Sequence, residues 1–193
     1  MKQENGKNIY SDFIKQVEIA KFRAEQINNI VNNSLFTCID MIKKSNGIKD
    51  ILNNELILLQ NFDINIYNNS EKKIDNRVNL CHTALEEYDL FNNNKESYLE
   101  KTYKRNMFSP KEIDLTKDTL FEQSVKTLII NLGNEKNALA TSPQLVELYE
   151  LRQDKLRDIC KEFTQKRQNF LSQHIKQEHT INKTLEKKES LER

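Results

Sequence analysis

Between Ser142 and Leu185 the chain has little choice but to form one long rod. The stretch opens on Ser142-Pro143, and after Pro143 neither glycine nor proline occurs again. A serine hydroxyl accepts from the first unpaired amides of a helix. Proline suits the first helical position, because the N–H it lacks would have no partner there. Leu145, Leu148, Leu151 or Val146, Leu156, Ile159, Phe163, Phe170, Leu171, Ile175, Ile181 and Leu185 then follow, mostly at steps of three and four. That spacing lines one face of a helix with apolar side chains. At 1.5 Å per residue the rod is roughly 60–70 Å long. A stripe of that length needs other long helices over it, from this chain or from another.

Composition points the same way. The 193 residues are 31% charged, with a mean hydropathy of -0.77, yet contain only 3 glycines and 2 prolines. Scarce turn formers leave room for few, long elements, and many charges suit rods that bury one seam and wet the rest. The fold class expected is all-α, with long extended helices forming a coiled coil and short helices and an irregular connector between them. One domain is the default at this length. The net charge of +1 gives no bulk attraction to nucleic acid. Cys38, Cys81 and Cys160 lack the spacing of a metal or redox motif, fall on or beside apolar ladders, and read as buried free thiols. The polar start, Met1 to Asn5, has no secretory h-region, and no apolar run approaches the ~18 residues of a membrane span. An intracellular chain without membrane contact is expected.

In chain order, residues 1–10 read as a disordered tail and 11–60 as N-terminal helices. Ser11 is the expected cap of the first, whose ladder runs Phe13, Val17, Ala20, Ala24, Ile27, Val31, Leu35, Cys38, Ile42. Its alternating steps make a heptad seam. Phe22, Ile30 and Phe36 widen the stripe toward more than one partner, and Asn46-Gly47 stops the helix. Residues 61–106 read as a connector and a second long helix. Phe62, Ile64 and Ile66 would dock the connector, and Ile74, Val78, Cys81, Leu85, Tyr88, Phe91 or Asn92, Leu99 and Tyr103 carry the seam, which weakens at Asn92-Asn93-Asn94. Residues 107–142 read as a loop with a short helix through Leu120, Phe121, Val125, Leu128 and Ile129, stopped at Gly133. Residues 143–193 are the long C-terminal coiled-coil helix.

The residue types of a catalytic centre are not arranged as one. None of the isolated glycines opens a phosphate-binding loop. His174 and His179 are five apart, which turns them to different sides of a helix, and His82 stands alone. Pairs such as Glu86 and Glu87, or Glu147 and Glu150, lie among lysines and arginines as solvated helix faces do. No enzyme, cofactor, metal or small-molecule substrate is expected. The strongest basic groupings are Lys101, Lys104 and Arg105 around Tyr103, and Lys161 with Lys166 and Arg167. The first offers a candidate RNA contact through Lys101, Tyr103, Lys104 and Arg105, although a solvated face explains it more simply.

Three local patterns resemble a known family. Tyr98-Leu99 leads to Phe108; Glu112-Ile113-Asp114-Leu115 leads to Phe121; and Leu148-Tyr149-Glu150-Leu151-Arg152-Gln153-Asp154-Lys155-Leu156 opens the long rod. In order and rough spacing these resemble the coiled-coil portion of the fifth subunit of the THO complex, the Fms-interacting protein family. The sequence departs from that family in a shorter loop between Phe108 and Glu112, and in the asparagine cluster where the family is leucine-rich. The resemblance covers about half of the chain. It implies a non-catalytic scaffold in the nucleus, wound along the seventh THO subunit and contacting other THO subunits, in a complex that couples transcription to mRNP packaging, mRNA processing and mRNA export, with only indirect association with mRNA.

From the seams, the expected function is protein–protein interaction. The candidate partner-binding residues are Leu148, Leu151, Leu156, Ile159, Phe163, Phe170 and Ile175 of the C-terminal rod, with Val78, Leu85, Tyr88 and Leu99 of the second helix. The alternatives are a self-contained helical-bundle interaction module, or a subunit of another coiled-coil assembly of the kinetochore, Mediator-like, tethering or bacterial-effector kind.

Overall fold

The computed structural model describes the backbone of residues 4–63, 71–103, 117–139 and 141–191, and the side chains of 14–23, 33–63, 72–103, 117–138 and 141–176. All its regular elements are helical: α1 (Glu4–Lys44), α2 (Ile48–Leu58) running into a π-helical turn (Leu59–Asp63), α3 (Glu71–Asn93), α4 (Lys95–Tyr103), α5 (Leu120–Leu139) and α6 (Pro143–Leu191). No strand occurs among the described residues. The all-α class is therefore as expected.

Local chemistry explains most of the helix ends. Lys43 and Lys44 sit in the last turn of α1, where cations favour the partial negative charge. Gly47 then takes φ 82°, a left-handed conformation that side chains with a Cβ resist. The Asn46 N–H donates to Asp50 Oδ2 at 2.7 Å, closing the start of α2. Asn94 interrupts the second rod and at once caps α4, its Oδ1 accepting from the Ser97 N–H at 2.9 Å. Before α5, the Thr119 N–H donates to Glu122 Oε2 at 2.8 Å while Thr119 Oγ1 accepts from the Glu122 N–H at 3.5 Å, a reciprocal capping box. Ser142 Oγ accepts from the Leu145 N–H at 3.2 Å, so the expected cap of α6 is in place.

Two boundaries differ from the sequence expectation. α1 starts at Glu4, not at Ser11, because a serine inside a helix costs only a few tenths of a kcal/mol. α5 runs through Gly133 to Leu139. Gly133 is a point of close approach: a Cβ there would lie 3.0 Å from Gln153 Nε2, and that amide donates to the Ile129 carbonyl at 2.9 Å. Bare backbone lets α6 come near enough for its glutamine to reach α5.

α5 and α6 pair antiparallel, since Lys136 meets Glu150 at one end and Glu122 meets Arg167 at the other. α3 is also antiparallel to α5, with Arg77 against Glu135 and Glu87 against the Phe121 amide. α2 packs on α3 and α6, and the last third of α1 lies against α6. One continuous core joins these helices, from Leu35, Ile39 and Ile42 of α1 to Leu148, Leu156, Ile159 and Phe163 of α6. Its aromatic end is T-shaped: Phe91 meets Tyr98 at 5.0 Å, Phe163 at 5.3 Å and Phe170 at 5.7 Å between ring centroids. The turn at Gly47 and the break before Pro143 fold the chain back, so the stripes of α3 and α6 are covered over much of their length by its own helices.

Candidate protein-binding interface

Most of the seam residues singled out from the sequence come together in that core, Leu99 and Ile175 excepted. Leu148, Leu156, Ile159, Phe163 and Leu99 are buried, and Leu151, Phe170, Ile175, Val78, Leu85 and Tyr88 are half-buried. Their neighbours are in this chain: Tyr88, Phe91 and Phe121 all present their rings to Phe163. The expectation that the seams outrun what the chain itself can cover is corrected for the described side chains of α3 and α6; Ile181 and Leu185 lie outside them. Of the connector, Phe62 packs on the core; Ile64 and Ile66 lie outside the described residues.

α1 is different. Its seam is buried at Leu35, Ile39 and Ile42, but residues 14–23 are exposed on every side. Ile14 is 42% exposed, Val17 37%, Ile19 51% and Phe22 61%, and further along Phe36 is 55% exposed. Val17 lies on the line that continues the buried seam, with Ile14 beside it, while Ile19 and Phe22 lie on the lines of the exposed Thr37 and Asp40.

Charged residues that the seams did not flag hold the bundle together. Arg152 is fully buried and forks onto two carboxylates. Its Nε and Nη2 donate to Glu55 at 2.9 and 2.6 Å, and its Nη1 and Nη2 donate to Asp63 at 3.0 and 2.7 Å. Burial opposes the charge, but Asp63 and Glu55 outweigh it and hold the guanidinium well above its ordinary pKa. The π-helical turn after α2 is what carries Asp63 to this spot. Arg77 lies 3.8 Å from the same carboxylate and pairs with Glu135. Fifteen residues beyond Arg152, Arg167 donates to Glu122 Oε1 at 3.0 Å and to the Tyr103 hydroxyl at 2.9 Å. Thr164 Oγ1 also donates to Glu122, at 2.5 Å. Glu87 accepts from the Phe121 N–H at 2.6 Å and from the Tyr98 hydroxyl at 3.4 Å. Burial pushes its carboxyl pKa up, against the pull of those hydrogen bonds.

These groups are paired with one another, although the Arg167 Nε is buried without a hydrogen-bond acceptor. Arg152 and Arg167 fall within the apolar ladder of α6, at its gaps between Leu151 and Leu156 and between Phe163 and Phe170. That was the one sequence signal that could have found them. Cys38, Cys81 and Cys160 are free thiols whose pKa burial raises, which keeps them in the unreactive protonated form.

Of the candidate RNA contact, Lys101 and Tyr103 lie among the described residues. Tyr103 is tied to Arg167 and its ring meets Tyr98 at 6.2 Å. Lys101 borders an open cleft of about 1060 Å³ that Lys117, Glu86, Glu87, Asp89 and Asp118 also line. Lys104 and Arg105 lie outside the described residues, as do Phe108 and Glu112 to Leu115. Among the described residues no three His, Cys, Asp or Glu side chains converge as a metal site, and no helix is long and apolar enough to cross a membrane. No protein-family model, no curated protein and no solved structure matches the chain.

Proposed function

We propose that this chain is a non-catalytic scaffold subunit. Its helices fold into a bundle, and the first half of α1 reaches out to coil with a helix of a partner chain. The observation that carries the reading is the bare stretch of α1, where Val17, with Ile14 beside it, stands in solvent on the same line as the buried Leu35 of a helix whose other end is locked into the core. The extended coiled coil foreseen from the seams then belongs to this arm and its partner, while the body is the self-contained module that the buried seams of α3 and α6 favour. The sequence resemblance takes the proposal one step further, to a THO-like nuclear assembly with the seventh THO subunit as partner and mRNP packaging and mRNA export as the task. The three sequence patterns are the support for that step.

Native affinity purification of the chain and of its Val17→Asp variant, read by mass spectrometry, tests both. THO subunits recovered with the parent and lost with the variant support the full proposal. A different coiled-coil partner, again lost with the variant, keeps the scaffold and removes THO. Partners unaffected by the variant, or a parent chain that runs alone as a monomer by light scattering, overturn the proposal.

A further inference from the structure

We infer that the partner of the α1 arm is a helix of another protein whose apolar seam is edged by carboxylates. This rests on the arm being the docking site. Eighteen residues make five full turns of an α-helix, so positions that far apart share a face. Val17 therefore continues the line of Leu35, and Ala20 that of Cys38. Leu35 is buried and Cys38 half-buried against the bundle, so the arm extends an interface that the fold already uses.

The edges of the stripe change along the helix. In the bundle they are Ile39, buried, and Met41, half-buried. One repeat earlier the same two lines hold Lys21 and Arg23, both exposed. Charges beside a coiled-coil seam contribute little affinity but set which helix is accepted. The other charges of this exposed stretch, Lys15 and Glu18, stand on the lines of Asn33 and Phe36, away from the seam. The stretch thus offers two cations at its contact edges and no anion. Two copies of it laid together would face cations with cations or with neutral residues. A helix with Glu or Asp beside its seam satisfies both, and bulky seam residues would fill the space left by Ala20.

Two synthetic helical peptides test this on the full chain. They share one Ile/Leu seam of about four heptads and differ only in Glu or Lys at the flanking positions. Fluorescence anisotropy should show the Glu peptide binding more tightly, on the order of tenfold at low salt, with the margin shrinking as salt rises. Val17→Asp should abolish binding, and the paired Lys21→Glu, Arg23→Glu variant should reverse the preference. Equal binding of the two peptides, or preference for Lys in the parent, overturns the acidic-edge inference and leaves the arm as a docking site. Neither peptide binding better than it does to Val17→Asp overturns both. A concentration-dependent dimer in sedimentation, lost with Val17→Asp, assigns the stripe to a second copy and also overturns the inference.

Discussion

Replacing Arg152 by methionine should cost this protein more than almost any other single substitution. Arg152 and Asp63 are fully buried and Glu55 is nearly so, and the guanidinium supplies both carboxylates with paired hydrogen bonds. Methionine fills most of the volume but leaves two anions in the core. Arg77 is the cation left near Asp63, at 3.8 Å, and α6 offers Glu55 no replacement donor at position 152. Breaking a buried pair in this way costs roughly 3–5 kcal/mol. For a chain of this size each kcal/mol is about 2–4 °C, so the melting temperature should fall by about 6–20 °C. Circular dichroism melts and urea titrations on the same samples give the value. Arg152→Lys retains the charge but cannot fork onto two carboxylates, and should fall between the two. Adding Glu55→Met to Arg152→Met removes one stranded anion, so the double variant should be more stable than Arg152→Met alone. A melting temperature for Arg152→Met within about 2 °C of the parent would refute the view that this cluster ties α2 to α6.

Other outcomes follow from the same structure. Phe163→Ala removes the ring that Tyr88, Phe91 and Phe121 all pack against, and should destabilise by about 3–5 kcal/mol in urea. Val17→Asp, on the bare part of α1, should leave the urea midpoint where it is; a large drop would mean that the arm packs on the bundle. Thr119→Ala opens the capping box of α5 and should cost about 1 kcal/mol, read by the same titration. Glu87 has a folded pKa raised above its ordinary 4.5, so its stabilising contribution is greatest below that pH and is lost as pH rises through the folded value. Stability of the parent relative to Glu87→Gln should decline upward from pH 4.5, and parallel pH profiles would contradict the shift.

Helix class and several helix ends were legible in the sequence because they depend on local chemistry. Ser142-Pro143 and Asn46-Gly47 act within a turn of themselves, and their effects need no knowledge of the fold. Gly133 misled because its local preference is weak. A glycine in a helix loses about 1 kcal/mol against alanine, and the approach of Gln153 from α6 repays a loss of that size. The seams showed which faces are dry but not what dries them. Phe163 and Val17 look alike as ladder residues, yet one ends among three aromatic rings and the other in water. That difference depends on where the chain turns back, a long-range matter that periodicity does not encode. Arg152 and Arg167 were hidden for the opposite reason. A ladder is read from its apolar rungs, and a missing rung looks like solvent until Glu55, Asp63 and Glu122 are found facing it.

The two seam arginines also fix α6 along its own axis. They stand about 22 Å apart, each held by acids on different helices. A greasy rod can slip by one turn past its neighbours and still find oil. This one cannot, since a shift of about 5.4 Å would pull both cations off their anions together. The bundle therefore resists sliding under load, and a tug on either end of the rod should be passed through it rather than absorbed.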